Sequence, residues 1–363
     1  MKIGVIGCGN ISKVYLSSLK KFQHIEITGC ADLVESAAAA RSREFDIPCF
    51  KSPEELLQSD AEIILNLTIP KAHGKVALDS LNAGKHVYGE KPLAADLETA
   101  ASILETAERK GLRVGCAPDT FLGGGIQTCK SIIDHGLIGE PVAATAFMMC
   151  RGHENWHPSP EFYYEEGGGP MFDMGPYYLT ALIQLIGPME RVTGFSRKTF
   201  EKRTITSQPK YGKTIIVEAD THTAGVIQFS NGAIGTLVTS FDVHSTQLPH
   251  IEIYGTEGSI RVPNPNHFDG TILLNKGDGR LDETAAVQPE AANFRGAGLL
   301  DMIQAIEQDK PHRASGEMAF HVLETMHAFT LSSLEGKHIE LSSTCISPLP
   351  LGEEDLKRMK KKG

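Results

Sequence analysis

Lys2-Ile3-Gly4-Val5-Ile6-Gly7-Cys8-Gly9-Asn10-Ile11-Ser12 decides how this chain folds. A short apolar strand runs into a glycine-rich turn, a helix is expected to begin near Asn10, and the next apolar run, 25–32, ends on Asp32. Gly7 permits a tight turn. Gly9 lets the backbone come close to a pyrophosphate, whose charge would meet the N–H groups of the helix start. Asp32 stands where such folds place the carboxylate that accepts hydrogen bonds from adenosine ribose hydroxyls. The third glycine of the usual pattern is replaced by Ser12, still small enough for helix and strand to pack closely. The stretch reads as a dinucleotide-binding turn, with Gly7, Gly9, Asn10, Ile11 and Asp32 as its cofactor contacts. A carboxylate at this position would repel a 2′-phosphate, and the next residue, Leu33, brings no arginine to offset it, so NAD is expected rather than NADP.

Outward from the turn, strand and helix alternate to about residue 118. Strands are expected over 3–6, 25–32, 63–67, 86–88 and 113–117, and helices over 12–21, 35–45, 72–83 and 97–110. Ser52-Pro53-Glu54-Glu55 is a further helix start, with Ser52 as cap and Glu55 in capping-box spacing. This alternation implies an α/β fold with a parallel, doubly wound sheet. Beyond residue 120 strands dominate, over 142–149, 190–196, 214–229, 233–243, 250–254 and 258–262. Several alternate apolar and polar residues, which suits an antiparallel sheet with one face covered, and Asn231-Gly232 marks a hairpin turn. Helices over 298–308 and 316–334 are expected to complete an α+β second domain. The division expected is therefore 1–120 and 121–363.

Composition bounds the rest. A chain of 363 residues, 41% of them apolar, can furnish two cores, and its formal charge of −10 leaves no electrostatic footprint for nucleic acid or an anionic membrane. Seven scattered cysteines without a C-x-x-C pair read as reduced thiols, and no zinc-like spacing occurs, so no metal is expected. Met1 to Gly9 pass directly into a strand, and no run of about 18 apolar residues exists, so a cytoplasmic protein is expected, neither exported nor membrane-spanning. The Lys357 to Lys362 cluster reads as a solvated tail.

Three clusters carry chemistry. Asn66-Leu67-Thr68-Ile69-Pro70 with His73 lies at the carboxyl end of an expected parallel strand, where open α/β sheets bind ligands. Thr68, Pro70 and His73 are accordingly expected along the cofactor, the alternative being a proline turn with a surface histidine. Gly89-Glu90-Lys91-Pro92 lies at the next strand end, and Pro92 either holds Lys91 extended or fixes the peptide as cis. Glu90 and Lys91 would border the cofactor, with the lysine donating to a substrate oxygen and lowering the pKa of a neighbouring acid or phenol. A surface ion pair is the alternative. In Gly167-Gly168-Gly169-Pro170-Met171-Phe172-Asp173-Met174-Gly175-Pro176-Tyr177, the acid and phenol four apart share a helix face. Gly175 between them allows close approach of a ligand or a neighbouring strand. With a lysine from the first domain they form a proton relay; a helix-start acid and a packing tyrosine are the alternative. Finally, Arg151-Gly152-His153-Glu154-Asn155-Trp156-His157-Pro158 gathers hydroxyl-binding groups around the only tryptophan. His153, Trp156 and His157 are expected to contact substrate, with packing or a metal as alternatives.

Gly7-Cys8-Gly9-Asn10-Ile11, Gly84-Lys85-His86-Val87 leading to Glu90-Lys91-Pro92, and Gly167-Gly168-Gly169 leading to Asp173-Met174-Gly175 resemble the glucose-fructose oxidoreductase, inositol dehydrogenase and rhizopine catabolism family. The similarity runs over nearly the whole chain, through Gly136-Leu137-Ile138-Gly139-Glu140-Pro141 and Asp301-Met302-Ile303-Gln304-Ala305-Ile306. It implies an N-terminal Rossmann domain and a C-terminal domain with a large open, mainly antiparallel sheet used for oligomerisation. It also implies action on sugars, polyols or related cyclic compounds. Many members place a histidine where Tyr177 stands; those resembling glucose-fructose oxidoreductase and dihydrodiol dehydrogenase place a tyrosine, which carries the acid–base role to Tyr177. Asp119-Thr120-Phe121-Leu122 departs from the asparagine and arginine of many relatives, and Asp119 is kept among the substrate contacts.

The expected activity is an NAD-dependent oxidation of a secondary hydroxyl of a sugar, polyol or glycoside, or reduction of the matching ketone. Lys91, Asp173 and Tyr177 are the catalytic candidates, with Tyr177 or Asp173 as principal proton acceptor. Expected partners are a small sugar-like molecule and further copies of the chain, as a homodimer or homotetramer through the C-terminal sheet. Two rivals stand beside this reading: a glycoside hydrolase acting by transient oxidation, and a dinucleotide-binding regulator without turnover.

Overall fold

The computed structural model describes residues 1–22, 25–286 and 292–359. The chain divides into two compact units, one of Met1–Gly123, Glu290–Leu323 and Pro348–Gly363, the other of Gly124–Pro289 and Glu324–Ser347. A crossing at residue 123 lies close to the break expected at 120, but the chain returns afterwards. The helix expected over 298–308 belongs to the first unit, not the second.

The first unit winds β1 (Lys2–Ile6), α1 (Asn10–Leu19), β2 (Glu26–Ala31), α2 (Glu35–Phe45), α3 (Pro53–Leu57), β3 (Ile63–Asn66), α4 (Pro70–Asn82), β4 (His86–Gly89), α5 (Leu97–Lys110) and β5 (Val114–Cys116). All strands pair in parallel in the order β2-β1-β3-β4-β5. Ile3, Val5, Ile63, Ile64 and Leu65 are buried, as expected of parallel strands covered on both faces. The winding reverses on either side of β1, and such a switch point opens a crevice at the carboxyl ends of the strands. Local chemistry sets the helix ends. Ser52 accepts from the Glu55 N–H at 3.3 Å and Asp96 from the Thr99 N–H at 2.8 Å, while Gly111 closes α5 at φ 64°. The Glu55 carboxylate takes the N–H of Lys51 at 2.8 Å, one residue short of the expected capping box.

The second unit contains α6 (Gly124–Asp134), β6 (Pro141–Met149), α7 (Gly169–Leu185), β7 (Met189–Arg197), β8 (Lys202–Thr204), β9 (Thr214–Ile216), β10 (His222–Phe229), β11 (Ile234–Ser240), β12 (Ile251–Gly255), β13 (Ser259–Val262), β14 (Ile272–Asn275) and β15 (Asp282–Thr284). After them come α8 (Ala297–Glu307) of the first unit, α9 (Gly316–Glu335), which begins in the first unit and ends in the second, β16 (Ile339–Glu340) of the second, and α10 (Glu353–Met359) of the first. A mixed, mostly antiparallel sheet runs β15-β14-β13-β12-β6-β11-β10-β7-β16, with β6 and β11 its parallel pair. The single strand expected over 214–229 is split. The N–H groups of Glu218 and Ala219 donate to the Tyr164 carbonyl and that of Val217 to Glu201, tying this backbone to neighbouring loops instead of the sheet. α7 packs on β6, β10 and β11, and Phe329 of α9 fills a notch over β7 and β10, where a Cβ on Gly194 or Gly225 would meet its ring at 2.9 or 2.6 Å. Phe195, Val226 and Ile234 are exposed on the sheet. Lys357 lies in α10, whereas Lys360 to Lys362 fall outside the described residues.

Burial pushes His73, His86 and His312 of the first unit and His250 of the second below the ordinary histidine value. Such a residue binds its proton more readily unfolded, so the stability it contributes is lost as the pH falls through about 6.5. The thermal midpoint should therefore drop between about pH 7 and pH 5 by circular dichroism, and a flat profile would contradict it.

Candidate active site

Two glycines of the first turn have different reasons. Gly7 adopts φ +100°, and a Cβ there would meet the Leu67 carbonyl carbon at 2.4 Å and the Thr68 nitrogen at 2.6 Å, so the protein's own frame requires glycine. Gly9 sits at φ −70°, ψ −167°, open to any residue, and a Cβ there would meet nothing within 4 Å. What this glycine keeps clear is space outside the protein, at the first turn of α1. Asp32 fastens that turn to the end of β2: Oδ2 accepts the Cys8 N–H at 2.7 Å and Oδ1 the Val34 N–H at 2.8 Å. A carboxylate has about four acceptor sites, so this one retains capacity for ribose hydroxyls. Asn10 is exposed beside the clear space, and Ile11 is half-buried.

The residue after Asp32 is Leu33, and the fold supplies an arginine to the turn from further along. Arg41 of α2 donates through Nη2 to the Gly9 carbonyl at 3.1 Å and is paired with Glu44. Its only sequence signal is its place in a helix after β2, and many residues share that.

At the end of β3, Asn66 accepts the Thr68 hydroxyl at 2.6 Å and donates to the His73 carbonyl at 3.0 Å. His73, expected along the cofactor or on the surface, is 2% exposed. Its Nδ1 lies 2.7 Å from the Pro92 carbonyl and its Nε2 3.0 Å from that of Thr68, so it joins the two loops as an internal tie. Thr68 is half-buried, while Pro70 is exposed and opens α4. The Lys91–Pro92 peptide is cis. Glu90 accepts the Tyr15 hydroxyl at 2.9 Å through Oε1 and the Lys91 backbone N–H at 3.1 Å through Oε2. Burial, helped by the Glu90 charge, lifts the Tyr15 phenol well above its ordinary value, so it stays a proton donor. Tyr15 escaped sequence reading because it resembles any apolar-face aromatic of α1. The loop bearing Lys91 is thus held by α1, β3 and α4.

Asp119 is corrected. It is 0% exposed and accepts the N–H groups of Gly296 at 2.7 Å and Gly298 at 3.3 Å, with Arg295 at 3.4 Å. Burial raises its carboxyl and Arg295 opposes this. It caps α8, and no surface remains for a substrate.

In the second unit, α7 carries Asp173, its side chain 19% exposed, and Tyr177, 8% exposed, one turn apart. Gly175 admits no ligand or strand: a Cβ there would meet Met171 Sδ at 3.0 Å and Met326 Sδ of α9 at 3.3 Å. The Tyr178 hydroxyl meets His250 Nδ1 at 2.9 Å. The loop after β6 brings His153, Trp156 and His157 together. The rings of His153 and His157 each lie 5.3 Å from that of Trp156, which is 59% exposed. His153 Nε2 stands 3.4 Å from Asp173 Oδ2.

Residues 1–117 match a family model described as an oxidoreductase family with an NAD-binding Rossmann fold, and residues 126–261 match the GFO/IDH/MocA C-terminal domain. The chain belongs to the Gfo/Idh/MocA oxidoreductase family. The family's Rossmann part holds the Gly7 turn, Asp32, His73 and Lys91, and its C-terminal part holds His153, Asp173 and Tyr177. A myo-inositol 2-dehydrogenase of Thermotoga maritima is 22% identical over 281 residues, 77% of this chain and 80% of that protein. A D-xylose 1-dehydrogenase (NADP(+)) of Haloferax volcanii is 24% identical over 355 residues, 94% of this chain and 100% of that one. A crystal structure of an NAD binding oxidoreductase from Klebsiella pneumoniae superposes with a TM-score of 0.82 at 20% identity, covering 94% of this chain and 98% of the other. No helix among the described residues is long and apolar enough to cross a membrane.

Proposed function

We propose that this Gfo/Idh/MocA member is an NAD-dependent oxidoreductase that oxidises a secondary hydroxyl of a sugar, polyol or glycoside, or reduces the matching ketone. One observation carries the cofactor assignment: the clear space at Gly9, which the protein itself does not need, beside the anchored carboxylate of Asp32. These residues fit a dinucleotide, with pyrophosphate at the α1 N-terminus and ribose hydroxyls on Asp32. When bound, the dinucleotide supplies the hydride acceptor. Lys91 donates to the reacting oxygen and favours its loss of a proton, and Tyr177, assisted by Asp173, holds that proton. The relatives named for inositol and xylose support a polyhydroxylated substrate.

The part-apolar sheet surface with Phe195, Val226 and Ile234 supports association of copies as a homodimer or homotetramer. Buried thiols at Cys8, Cys30, Cys116 and Cys129 suit a reducing compartment, and we place the activity in the cytoplasm. Arg41 is a cation at the turn that would favour a 2′-phosphate, and the Haloferax relative is named for NADP(+). Asp32 opposes it by like charge, so calorimetric titration should show NAD binding at least about tenfold more tightly than NADP. Equal affinities would remove the role of Asp32. NADH fluorescence over myo-inositol, D-xylose and methyl glucoside tests the reaction itself. Sugar release without net NADH would favour the hydrolase, and binding without turnover the regulator.

A further inference from the structure

We propose that His153 is a positioning residue for Asp173, holding its carboxylate from the loop after β6 instead of touching substrate. The inference rests on the reading of Asp173 as a proton-handling group. The His153 side chain is 12% exposed, and its Nε2 lies 3.4 Å from Asp173 Oδ2. Both ring nitrogens are buried and make no hydrogen bond among the described residues. The ring is boxed by Tyr163 at 4.2 Å, Phe241 at 4.6 Å and Trp156 at 5.3 Å between centroids.

An imidazole N–H taken out of water needs an acceptor, and its loss costs free energy. Three aromatic rings offer it none, whereas the carboxylate faces Nε2. The geometry therefore directs an Nε2–H at the carboxylate. With both nitrogens closed off, a substrate hydroxyl has no access to this ring, contrary to the expectation from sequence.

The loop can hold such a position because it is fastened one residue further on. Glu154 pairs with Arg203 at 2.7 Å and accepts the Tyr164 hydroxyl, and Arg203, only 8% exposed, also pairs with Asp242. Gly152, at φ +90°, lets the chain pass beneath this network: a Cβ there would meet the Tyr164 hydroxyl at 2.2 Å. An imidazole set in this frame limits rotation of the Asp173 carboxylate, and so sets its position relative to Tyr177 one turn along α7.

Ring-nitrogen NMR of the whole chain tests the pairing without any substrate. Wild-type protein should show His153 protonated on Nε2, and Asp173→Ala should change that signal. A bare Nε2, or a signal indifferent to Asp173→Ala, would overturn the proposal. Kinetics with NAD and the panel of myo-inositol, D-xylose and methyl glucoside give the second reading. His153→Phe, which keeps the box filled, should lower kcat about tenfold or more with KM nearly unchanged, and His153→Gln, which keeps a donor, should recover part of the loss. A raised KM at unchanged kcat would overturn the proposal in favour of direct substrate contact. Should His153→Phe fail to fold by circular dichroism, the NMR pair and His153→Gln still decide. If nothing in the panel is oxidised while the ring signal responds to Asp173→Ala, the pairing stands and the sugar-oxidation reading is the one that fails.

Discussion

Alanine at position 91 should lower kcat by about two to four orders of magnitude while leaving NAD affinity within about twofold. The ammonium is the group assigned to the reacting oxygen, and its removal costs the transition state a charge-assisted donor. The surroundings should survive the change. Glu90 takes the backbone N–H of residue 91, which alanine keeps, and its other oxygen takes the Tyr15 hydroxyl. His73 still ties the Pro92 carbonyl to that of Thr68. Single-turnover NADH formation beside a calorimetric NAD titration measures both quantities. A Lys91→Ala enzyme turning over at the normal rate would leave Lys91 without a catalytic role.

The second large effect separates the two glycines of the first turn. Gly7→Ala should destabilise the protein itself. The φ of +100° costs a side-chain-bearing residue about 1–3 kcal/mol, and the Cβ would in addition press on Leu67 and Thr68 backbone at 2.4–2.6 Å. Gly9→Ala should leave the thermal midpoint unchanged, since its backbone angles are ordinary and its Cβ meets nothing within 4 Å. It should nevertheless weaken NAD by about tenfold or more, because the methyl group would occupy the space kept for the pyrophosphate. Thermal melts and NAD titrations on both variants suffice. A Gly9→Ala protein that binds NAD normally would mean that the clear space serves something else.

Much of the first unit was legible because its signals are local. The helix over Glu35–Phe45 and the helix Leu97–Lys110 closed by Gly111 fall where periodicity and capping put them. The other strands and helices of this unit shift by only a residue or two at their ends, except α10 (Glu353–Met359), a helix where only a solvated tail was expected. The second unit was harder. Strands such as Lys202–Thr204 and Asp282–Thr284 are too short to show a period, and the split between Thr214–Ile216 and His222–Phe229 follows from bonds to distant loops. Site residues divide in the same way. Gly7 makes the tight turn its spacing suggests, but His73 and Asp119 are consumed by the frame, and Tyr15 and Arg41 enter from helices that looked unremarkable.

The sequence by itself determined the parallel sheet, its glycine turn and the acid after β2, because strand period, turn conformation and helix start depend on neighbouring residues. Tertiary structure alone decided which polar groups face outward and which spend their bonding capacity inside. Asp119 meets Gly296 across 177 positions and Tyr15 meets Glu90 across 75. Burial makes each such pairing nearly obligatory once the chain has brought the partners together, and no local pattern announces which partner that will be.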